Sequence, residues 1–207
     1  MNLDILTDIR RERFGEIANK LMNNYCILKK DSRDNSDVIY RFAEIEFYLY
    51  SLDTPDEDID TYYRDCNCVE WFFHGSGVDI AFKTVRDGDE LTQFGGILVR
   101  GVEIYKENAS GEWELTGVAG GPRVSMYEIF NHSIGMPDVV PIHDTLKNDR
   151  KINKTTRIGI KDKALQRFVF ADIDWNVPTE RIIERKEKDG LYHVRLKKTP
   201  RKYNPTV

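Results

Sequence analysis

The segment from Arg41 to Leu49, with the sequence RFAEIEFYL, constrains the fold of this chain more than any other stretch. Its residues alternate strictly, which predicts a β-strand, because successive side chains of a strand point to opposite faces. One predicted face is apolar, and the other carries two carboxylates among aromatic rings. The first face holds Ala43, Ile45, Phe47 and Leu49, and the second holds Phe42, Glu44, Glu46 and Tyr48.

Two interpretations of the acidic face are open. An edge strand with a solvated acidic face is common in antiparallel sheets. Carboxylates beside aromatic surface, in contrast, lose hydration, and such groups cluster at sites of proton transfer. In the second interpretation Glu46 is the candidate catalytic base. Glu44 is then a structural residue that bonds the backbone or Arg100.

The order Glu44-Ile-Glu46-Phe-Tyr48 resembles the E-x-E-x-Y strand of the alkyladenine (3-methyladenine) DNA glycosylase family. Further short matches follow in the family's order over about residues 38–172, and the ordered set is moderately specific. They are Trp71–Phe73, Gly77–Phe82, Gly95–Glu103, Gly121–Arg123, Thr156–Ile160 and Arg167–Phe170. The resemblance implies an α+β fold, with a curved antiparallel sheet and a few flanking helices, in a single domain over residues 1–207.

The resemblance also implies an activity. Members of the family are monofunctional DNA glycosylases of base excision repair, which hydrolyse the N-glycosidic bond of alkylated purines that are flipped out of the duplex. By resemblance, Glu46 is the catalytic base that activates water. The residues that would bind the base or substrate are Tyr48, Phe73, His74 and Arg100, with Arg123 as a phosphate contact. No metal and no other cofactor is implied, and the partner is DNA, including single-stranded DNA, or a nucleoside-type substrate.

Four of these assignments have ordinary structural alternatives. Phe73 could be an aromatic residue of the core, and His74 a loop histidine without a role. Arg100 could form an internal salt bridge with Glu103 or Glu44. Arg123 could be an ordinary surface arginine.

The chain departs from the family's pattern at three places. The histidine expected after the motif tyrosine is missing from Asp53–Asp60, the tyrosine that fills the opened duplex falls near Ser76, and an expected asparagine falls near Lys83. These departures favour a second hypothesis, a binding module that keeps the pocket but has lost catalysis. Its ligand would be a nucleotide, a single-stranded nucleic acid or a protein.

Charge argues against tight binding of duplex DNA, because phosphate neutralisation by Lys and Arg supplies most non-specific affinity. The formal net charge is −4, and residues 53–70 hold seven acids and one base. The segment 181–207 is basic, with nine Lys/Arg against three Asp/Glu between Arg181 and Tyr203. We therefore predict that single-stranded or pre-opened substrate binds more tightly than intact duplex.

The remaining patterns predict the layout of the chain. Apolar spacing predicts a helix from Arg11 to Tyr25, and Pro122 precedes a second helix at about 123–131. Strands are predicted near 70–74, 78–83, 156–161, 167–172 and 191–197, with a hairpin of strands 96–106 and 112–118, a short helix from Pro178 and an irregular stretch at 135–153. The absence of a signal-like N-terminus and of membrane-length apolar runs predicts a cytoplasmic protein without membrane contact, and three cysteines predict ordinary thiols.

Overall fold

The computed structural model describes residues 3, 6, 8–53, 61–155, 168–172, 186–188 and 191–193. In this part of the chain the helices are α1 (Phe14–Asn24) and α2 (Pro122–Phe130). The strands are β1 (Tyr25–Lys30), β2 (Asp37–Ser51), β3 (Trp71–His74), β4 (Gly77–Ala81), β5 (Val85–Asp87), β6 (Glu90–Glu107), β7 (Trp113–Gly120), β8 (Asp138–Pro141), β9 (Ile152–Thr155), β10 (Phe168–Asp172), β11 (Lys186–Lys188) and β12 (Leu191–His193). None of the described helices has the length and apolar character needed to cross a membrane.

Ten strands of the described chain form one antiparallel sheet with the order β3-β4-β6-β2-β1-β8. The strands β5 and β7 pair with β6, β10 pairs with β2, and β9 pairs with β10, while β11 and β12 form a separate two-stranded sheet. The predicted α+β architecture with an antiparallel sheet and a few helices is confirmed at this level. The motif strand β2 lies in the centre of the sheet and not at its edge.

The sheet is strongly curved. Six flat strands would place β3 about 24 Å from β8, because neighbouring strands lie about 4.8 Å apart. The indole nitrogen Nε1 of Trp71, in β3, nevertheless donates a hydrogen bond of 2.7 Å to the carbonyl of Pro137, which directly precedes β8. The two ends of the sheet therefore approach each other.

One face of the sheet, the core face, packs against both helices. The apolar residues predicted for the first helix, Phe14, Ile17, Ala18 and Leu21, are all buried, as predicted. The Phe47 ring of β2 stacks on Phe14 with centroids 4.4 Å apart and meets the edge of Phe170 at 5.5 Å. Aromatic packing thus ties α1 and β10 to the central strand.

The opposite face, here called the ionic face, carries the buried charged residues Arg41, Glu44, Glu46, Asp79 and Arg100. The prediction that Phe42 shares the face of Glu44 is wrong, because Phe42 belongs to the core. The pairing of β2 with β6 skips Ala43 in β2 and Arg100 in β6. Each strand thus contains one extra residue, a β-bulge, and the alternation of β2 changes phase at Ala43.

Helix α2 begins where the sequence predicts it. Gly121 precedes it with φ of 93°, a left-handed value that favours glycine, and Pro122 occupies its first position. The buried ammonium of Lys29 donates 2.8 Å hydrogen bonds to the carbonyls of Glu128 and Asn131. These bonds cap the C-terminal end of the helix, where carbonyl groups lack partners.

Parts of the predicted layout differ from the structure. Strand β1 follows α1 directly and was not predicted, and the supposedly irregular stretch 135–153 contains β8 and the start of β9. The hairpin of β6 and β7 and strand β10 are confirmed, and β12 lies within the predicted last strand. The predicted strand at 156–161, the helix from Pro178 and most of the basic segment 181–207 lie outside the described residues.

Candidate functional site

Two glutamates of β2 and one arginine of β6 form a buried ionic cluster on the ionic face. Arg100 donates from Nε to Oε1 of Glu44 at 2.8 Å and from Nη1 to Oε2 of Glu46 at 2.5 Å. The Arg100 side chain is 8% exposed, that of Glu44 3% and that of Glu46 0%. A solvated acidic face is therefore the wrong interpretation of this stripe, and Glu44 bonds Arg100 as its structural role required.

The bulge at Arg100 explains how one side chain reaches two carboxylates of the neighbouring strand, because an extra residue in a strand re-aims its side chain. Burial alone lowers the pKa of Arg100, but the charges of Glu44 and Glu46 and their hydrogen bonds outweigh burial and raise that pKa above its usual value. The guanidinium is therefore always charged. Among the described residues, the cluster thus contains two carboxylates and one guanidinium.

Tyr48 shares the ionic face with Glu46, two residues further along β2, and only 9% of it is exposed. Its partner across the strand pair is Gly96 of β6. At the neighbouring Gly95, an added Cβ would lie 2.1 Å from the carbonyl oxygen of Tyr48. A glycine is therefore required at residue 95 for β6 to approach β2 this closely.

A second buried ionic cluster lies on the same face. Nη1 of Arg64 donates to Oδ2 of Asp79 at 2.6 Å, and Nε2 of His74 lies 3.0 Å from Oδ1 of the same carboxylate. The backbone N–H of Ser76 donates to Nδ1 of His74 at 3.3 Å. A neutral His74 ring that accepts a hydrogen bond at Nδ1 carries its proton on Nε2, and this N–H donates a hydrogen bond to Asp79.

Arg64 is fixed by several further contacts. Its guanidinium carbon lies 4.0 Å from the centre of the Phe72 ring, and Nε donates to the carbonyl of Tyr62 at 3.0 Å. An added Cβ at Gly96 would lie 2.8 Å from Nη1 of Arg64. The guanidinium thus occupies the space in which residue 96 would carry a side chain.

The pairing of the strands makes the two clusters neighbours. Leu98 of β6 pairs with Asp79 on one side and with Glu46 on the other. Residues that pair directly in antiparallel strands point to the same face, with Cβ atoms about 5 Å apart. Asp79 and Glu46 therefore flank one leucine on a common surface.

The structure brings Glu46, Tyr48, Arg100 and His74 to the ionic face but not Phe73. Phe73 is 49% exposed and packs against Phe130 of α2 with centroids 4.8 Å apart. The reason is the alternation of β3, in which Phe72 pairs with Asp79 and so takes the ionic face. The expectation that Phe73 binds the base together with Tyr48 is corrected accordingly, and Phe72 is the aromatic residue of β3 on that face.

Arg123 lies on the exposed surface of α2. Its Nε donates to the carbonyl of Gly75, in the turn between β3 and β4, at 2.8 Å. The same turn contains Ser76, at the position predicted for the missing wedge residue. Arg123 thus fixes the turn to the helix, and its predicted phosphate contact is untested.

A third ionic group lies further along the same face. Arg150 pairs with Glu103 of β6 and, at 3.1 Å, with Asp172 of β10. The buried Arg41 donates from Nη2 to the side-chain oxygen of Asn148 at 2.8 Å. Burial and the charge of Arg150 lower the pKa of Arg41. Glu103, an alternative partner predicted for Arg100, therefore serves Arg150 instead.

A surface cleft of about 440 Å³ lies elsewhere, between residues 67–71 and 136–139. Neither Glu46 nor Tyr48 nor Arg100 lines it, and Trp71 connects its two walls. Within the described ranges no group of three or more His, Cys, Asp or Glu side chains has an arrangement that would hold a metal ion.

Sequence reasoning missed Arg64 and Asp79. Arg64 is the single basic residue among the seven acids of residues 53–70. The usable signal is Asp79, which lies within the apolar run Gly77–Phe82, because a carboxylate that is buried there needs a cationic partner such as Arg64. This signal was available in the sequence.

No protein-family profile matches the chain, and no curated protein matches it significantly. The resemblance to the alkyladenine glycosylases thus remains a prediction.

Proposed function

We propose that this protein is an N-glycosidic bond hydrolase that acts on damaged, alkylated purine bases, with a fold and a base excision repair role like those of the 3-methyladenine DNA glycosylases. Glu46 is the catalytic base. The observation that carries the proposal is that Glu46 and Tyr48 share one face of the sheet, on which Arg100 holds the Glu46 carboxylate in a fixed orientation.

The chemistry required is modest. Glu46 accepts a proton from a water molecule as the water oxygen bonds to the anomeric carbon of the sugar. The bond between that carbon and the base nitrogen breaks, and its electron pair leaves with the base, which takes up a proton. A carboxylate that is ion-paired in the resting state has the charge this step needs. Arg100 fixes its orientation, which reduces the entropy lost in the transition state.

Tyr48 supports recognition of the base. It is an aromatic side chain two residues from Glu46 on the same face, and stacking on an aromatic ring contributes about 1–3 kcal/mol per base. A base stacked on Tyr48 has its glycosidic bond close to Glu46, because alternate residues of a strand lie about 7 Å apart. Phe72 replaces Phe73 as the second aromatic candidate of the site.

A second candidate function, a binding module without catalysis, is favoured by one specific observation. The Glu46 side chain has no exposed surface and contacts a guanidinium. In this function the Glu44–Arg100–Glu46 cluster serves only to build a nucleotide-binding face.

The test measures release of free base from single-stranded and duplex oligonucleotides that contain an alkylated purine, by chromatography at neutral pH. The expected result is release by the wild-type protein and loss of at least about 100-fold in Glu46→Gln, because the variant cannot accept the proton. Substrate binding by the variant should persist, and single strands should bind more tightly than duplex at each salt concentration.

The matched control is Glu16→Gln, which makes the same substitution at an exposed surface ion pair of α1. This variant should release base at the wild-type rate. Release by Glu46→Gln at the wild-type rate would mean that another residue is the base. Binding without release by the wild-type protein would support the binding module instead.

A further inference from the structure

The outer edge of β3 is a free strand edge in the described part of the chain. β3 ends the order of strands in the sheet and pairs with β4 alone. Residues of an antiparallel pair alternate between those that exchange hydrogen bonds with the partner and those that direct N–H and C=O groups away from it. The N–H of Ala81, in β4, donates to the carbonyl of Glu70, which fixes this alternation. Phe72 therefore bonds to β4, whereas Trp71 and Phe73 direct their backbone groups outwards.

This edge lacks the protection that free strand edges usually have. Natural sheets guard their edges with proline, with charged side chains or with bulges. The other end of the sheet is guarded in this way, because Pro137 directly precedes β8 and Pro141 ends it, and proline has no N–H to offer. β3 has the sequence WFFH, without proline or lysine. Its edge is therefore open to another strand.

An aromatic patch adjoins the edge. The Phe130 ring of α2 meets Phe73 at a centroid distance of 4.8 Å and Trp71 at 5.2 Å. Tyr127 lies three residues before Phe130, on the same side of the helix. Phe73 and Tyr127 are both exposed. Aromatic residues are enriched at the centres of protein interfaces, and an exposed cluster of them indicates a surface that another protein covers.

The cleft of about 440 Å³ continues the line of β3 beyond its first residue, between residues 67–71 and 136–139. A β-bulge opens it, because Val69 donates to the carbonyl of Ala81 while Ala81 donates to that of Glu70, so two residues face one. Val69 has φ of 68°, a left-handed value that is unfavourable for a β-branched residue. Such strain persists only where the surrounding structure fixes it. An extended chain that pairs with β3 therefore runs into the cleft.

The charge of the cleft distinguishes the groups that fit it. Its lining contains two carboxylates, Glu70 and Asp138, and no Lys or Arg side chain. The Glu70 carboxylate accepts hydrogen bonds from Asn67 of the same turn, and Asp138 is exposed. Lys83 lies close to Cys68 but outside the lining. A cationic side chain is therefore complementary to the cleft, and an anionic one is disfavoured.

We infer that the β3 edge is a docking site for an extended segment of a protein partner, which adds a strand to the sheet and places a Lys or Arg side chain between Glu70 and Asp138. Backbone hydrogen bonds to Trp71 and Phe73 supply affinity, and alternate side chains of the segment pack on the aromatic patch. The site does not depend on the proposed hydrolysis, because it lies at the edge of the sheet and shares no residue with the ionic clusters.

The probes are two blocked pentapeptides, Lys-Val-Thr-Val-Thr and its reverse, Thr-Val-Thr-Val-Lys. A parallel and an antiparallel strand bring opposite peptide ends to the cleft, and valine and threonine favour the extended conformation. Each peptide is compared with the one that has Glu in place of Lys. Dissociation constants come from NMR titrations of the ¹⁵N-labelled wild-type protein. One Lys peptide should bind at least about tenfold more tightly than its Glu counterpart.

Amide hydrogen exchange tests the position of the added strand. In the free protein the N–H groups of Trp71 and Phe73 should exchange rapidly, whereas that of Phe72 should be protected. Saturation with the Lys peptide should slow exchange at Trp71 and Phe73 by at least about tenfold, and by more than at Phe72. Protection of Trp71 and Phe73 in the free protein that increases with protein concentration would assign the edge to a second copy of the chain and overturn the inference.

A proline variant tests the backbone contact. Phe73→Pro removes an outward N–H without removing a bond to β4, and proline is tolerated on the free side of an edge strand. The matched control is Phe73→Val, which removes the same ring but retains the N–H. Phe73→Val should bind the Lys peptide at least about tenfold more tightly than Phe73→Pro. Thermal unfolding establishes that each variant is folded, and equal affinities in two folded variants would overturn the inference.

A double variant tests the charge of the cleft. Glu70→Gln with Asp138→Asn should abolish the preference for the Lys peptide over the Glu peptide. The matched control is Glu112→Gln with Asp149→Asn, the same substitutions at exposed residues outside the cleft, which should retain the preference. An unchanged preference in the folded cleft variant would overturn the inference.

The wild-type protein alone also decides the question. If neither Lys peptide binds at millimolar concentration, or if Lys and Glu peptides bind equally, the inference is wrong even when the variants do not fold. The proposed hydrolysis is tested separately by base release. Loss of peptide binding with release intact removes only this inference, and the reverse result removes only the hydrolase.

Discussion

On one side of β2, Ile45 and Phe47 pack among aromatic and branched side chains, and on the other side Glu44 and Glu46 are buried to the same extent. The apolar side is stabilised because nonpolar surface is removed from water, and this effect has no preferred direction. The free energy of unfolding therefore falls gradually as buried atoms are removed. The ionic side depends on each charge having its partner, because an unpaired buried charge costs several kcal/mol. One strand thus shows two kinds of burial with different tolerance to change.

The largest loss of stability is expected in Arg100→Met. This substitution removes the guanidinium between Glu44 and Glu46 but keeps a side chain of similar size. We expect the free energy of unfolding to fall by about 3–5 kcal/mol at pH 7, as for other buried pairs that lose one member. The loss should shrink as the pH is lowered, because protonated carboxyls are cheaper to bury. Urea denaturation at several pH values measures both effects. The exposed Arg10→Met is the control, and a loss that does not depend on pH would contradict the ionic origin.

A smaller effect is expected from Ile45→Val, which lies between the two glutamates but faces the core. Removal of one buried methylene group should lower the free energy of unfolding by about 0.5–1.5 kcal/mol. No charge changes, so the loss should be the same from pH 5 to pH 8. The same urea titrations measure it. A pronounced pH dependence would show that the two faces of β2 are coupled.

The smallest effect is expected from Asp31→Asn, outside both faces, where Asp31 pairs with the largely exposed Arg33. The hydrogen bond from Arg33 holds the pKa of Asp31 well below its usual value, against the opposing effect of burial. A carboxylate with a lowered pKa in the folded state stabilises the fold above its unfolded pKa of about 4 and loses that contribution as the pH falls towards its folded pKa. We expect a loss of about 0.2–1 kcal/mol at pH 7 that disappears in acid. If the loss in the free energy of unfolding stayed constant down to pH 2, its cause would be packing and not the charge of Asp31.

The sequence predicted those elements whose signals are local. The apolar spacing of Phe14 to Leu21 predicted α1, and Gly121-Pro122 predicted α2, because helix periodicity and end signals depend on neighbouring residues. Alternation predicted the two faces of β2 from Glu44 onwards. It failed at Phe42, because a bulge adds a residue without changing the composition of the strand.

The candidate site was only partly predictable for a related reason. Glu46, Tyr48 and Arg100 were found through a linear motif, and the structure brings them to one face. Arg64 and Asp79 belong to that face through the pairing of β4 with β6 and through a close approach over Gly96. Such contacts depend on the register of strands distant in the chain, which periodicity does not specify.

The pairing of Glu46 with Val169 has a consequence for synthesis of the chain. Strand β2 is synthesised before β10, and its edge beside β10 has no partner until the intervening residues 52–167 have been made. At about 5–20 residues per second, that edge of β2 waits for many seconds with its backbone groups unpaired. Contacts between such distant segments also make folding slow once the chain is complete. A chaperone that shields this edge of β2 during translation should therefore raise the yield of folded protein more than one that acts after release.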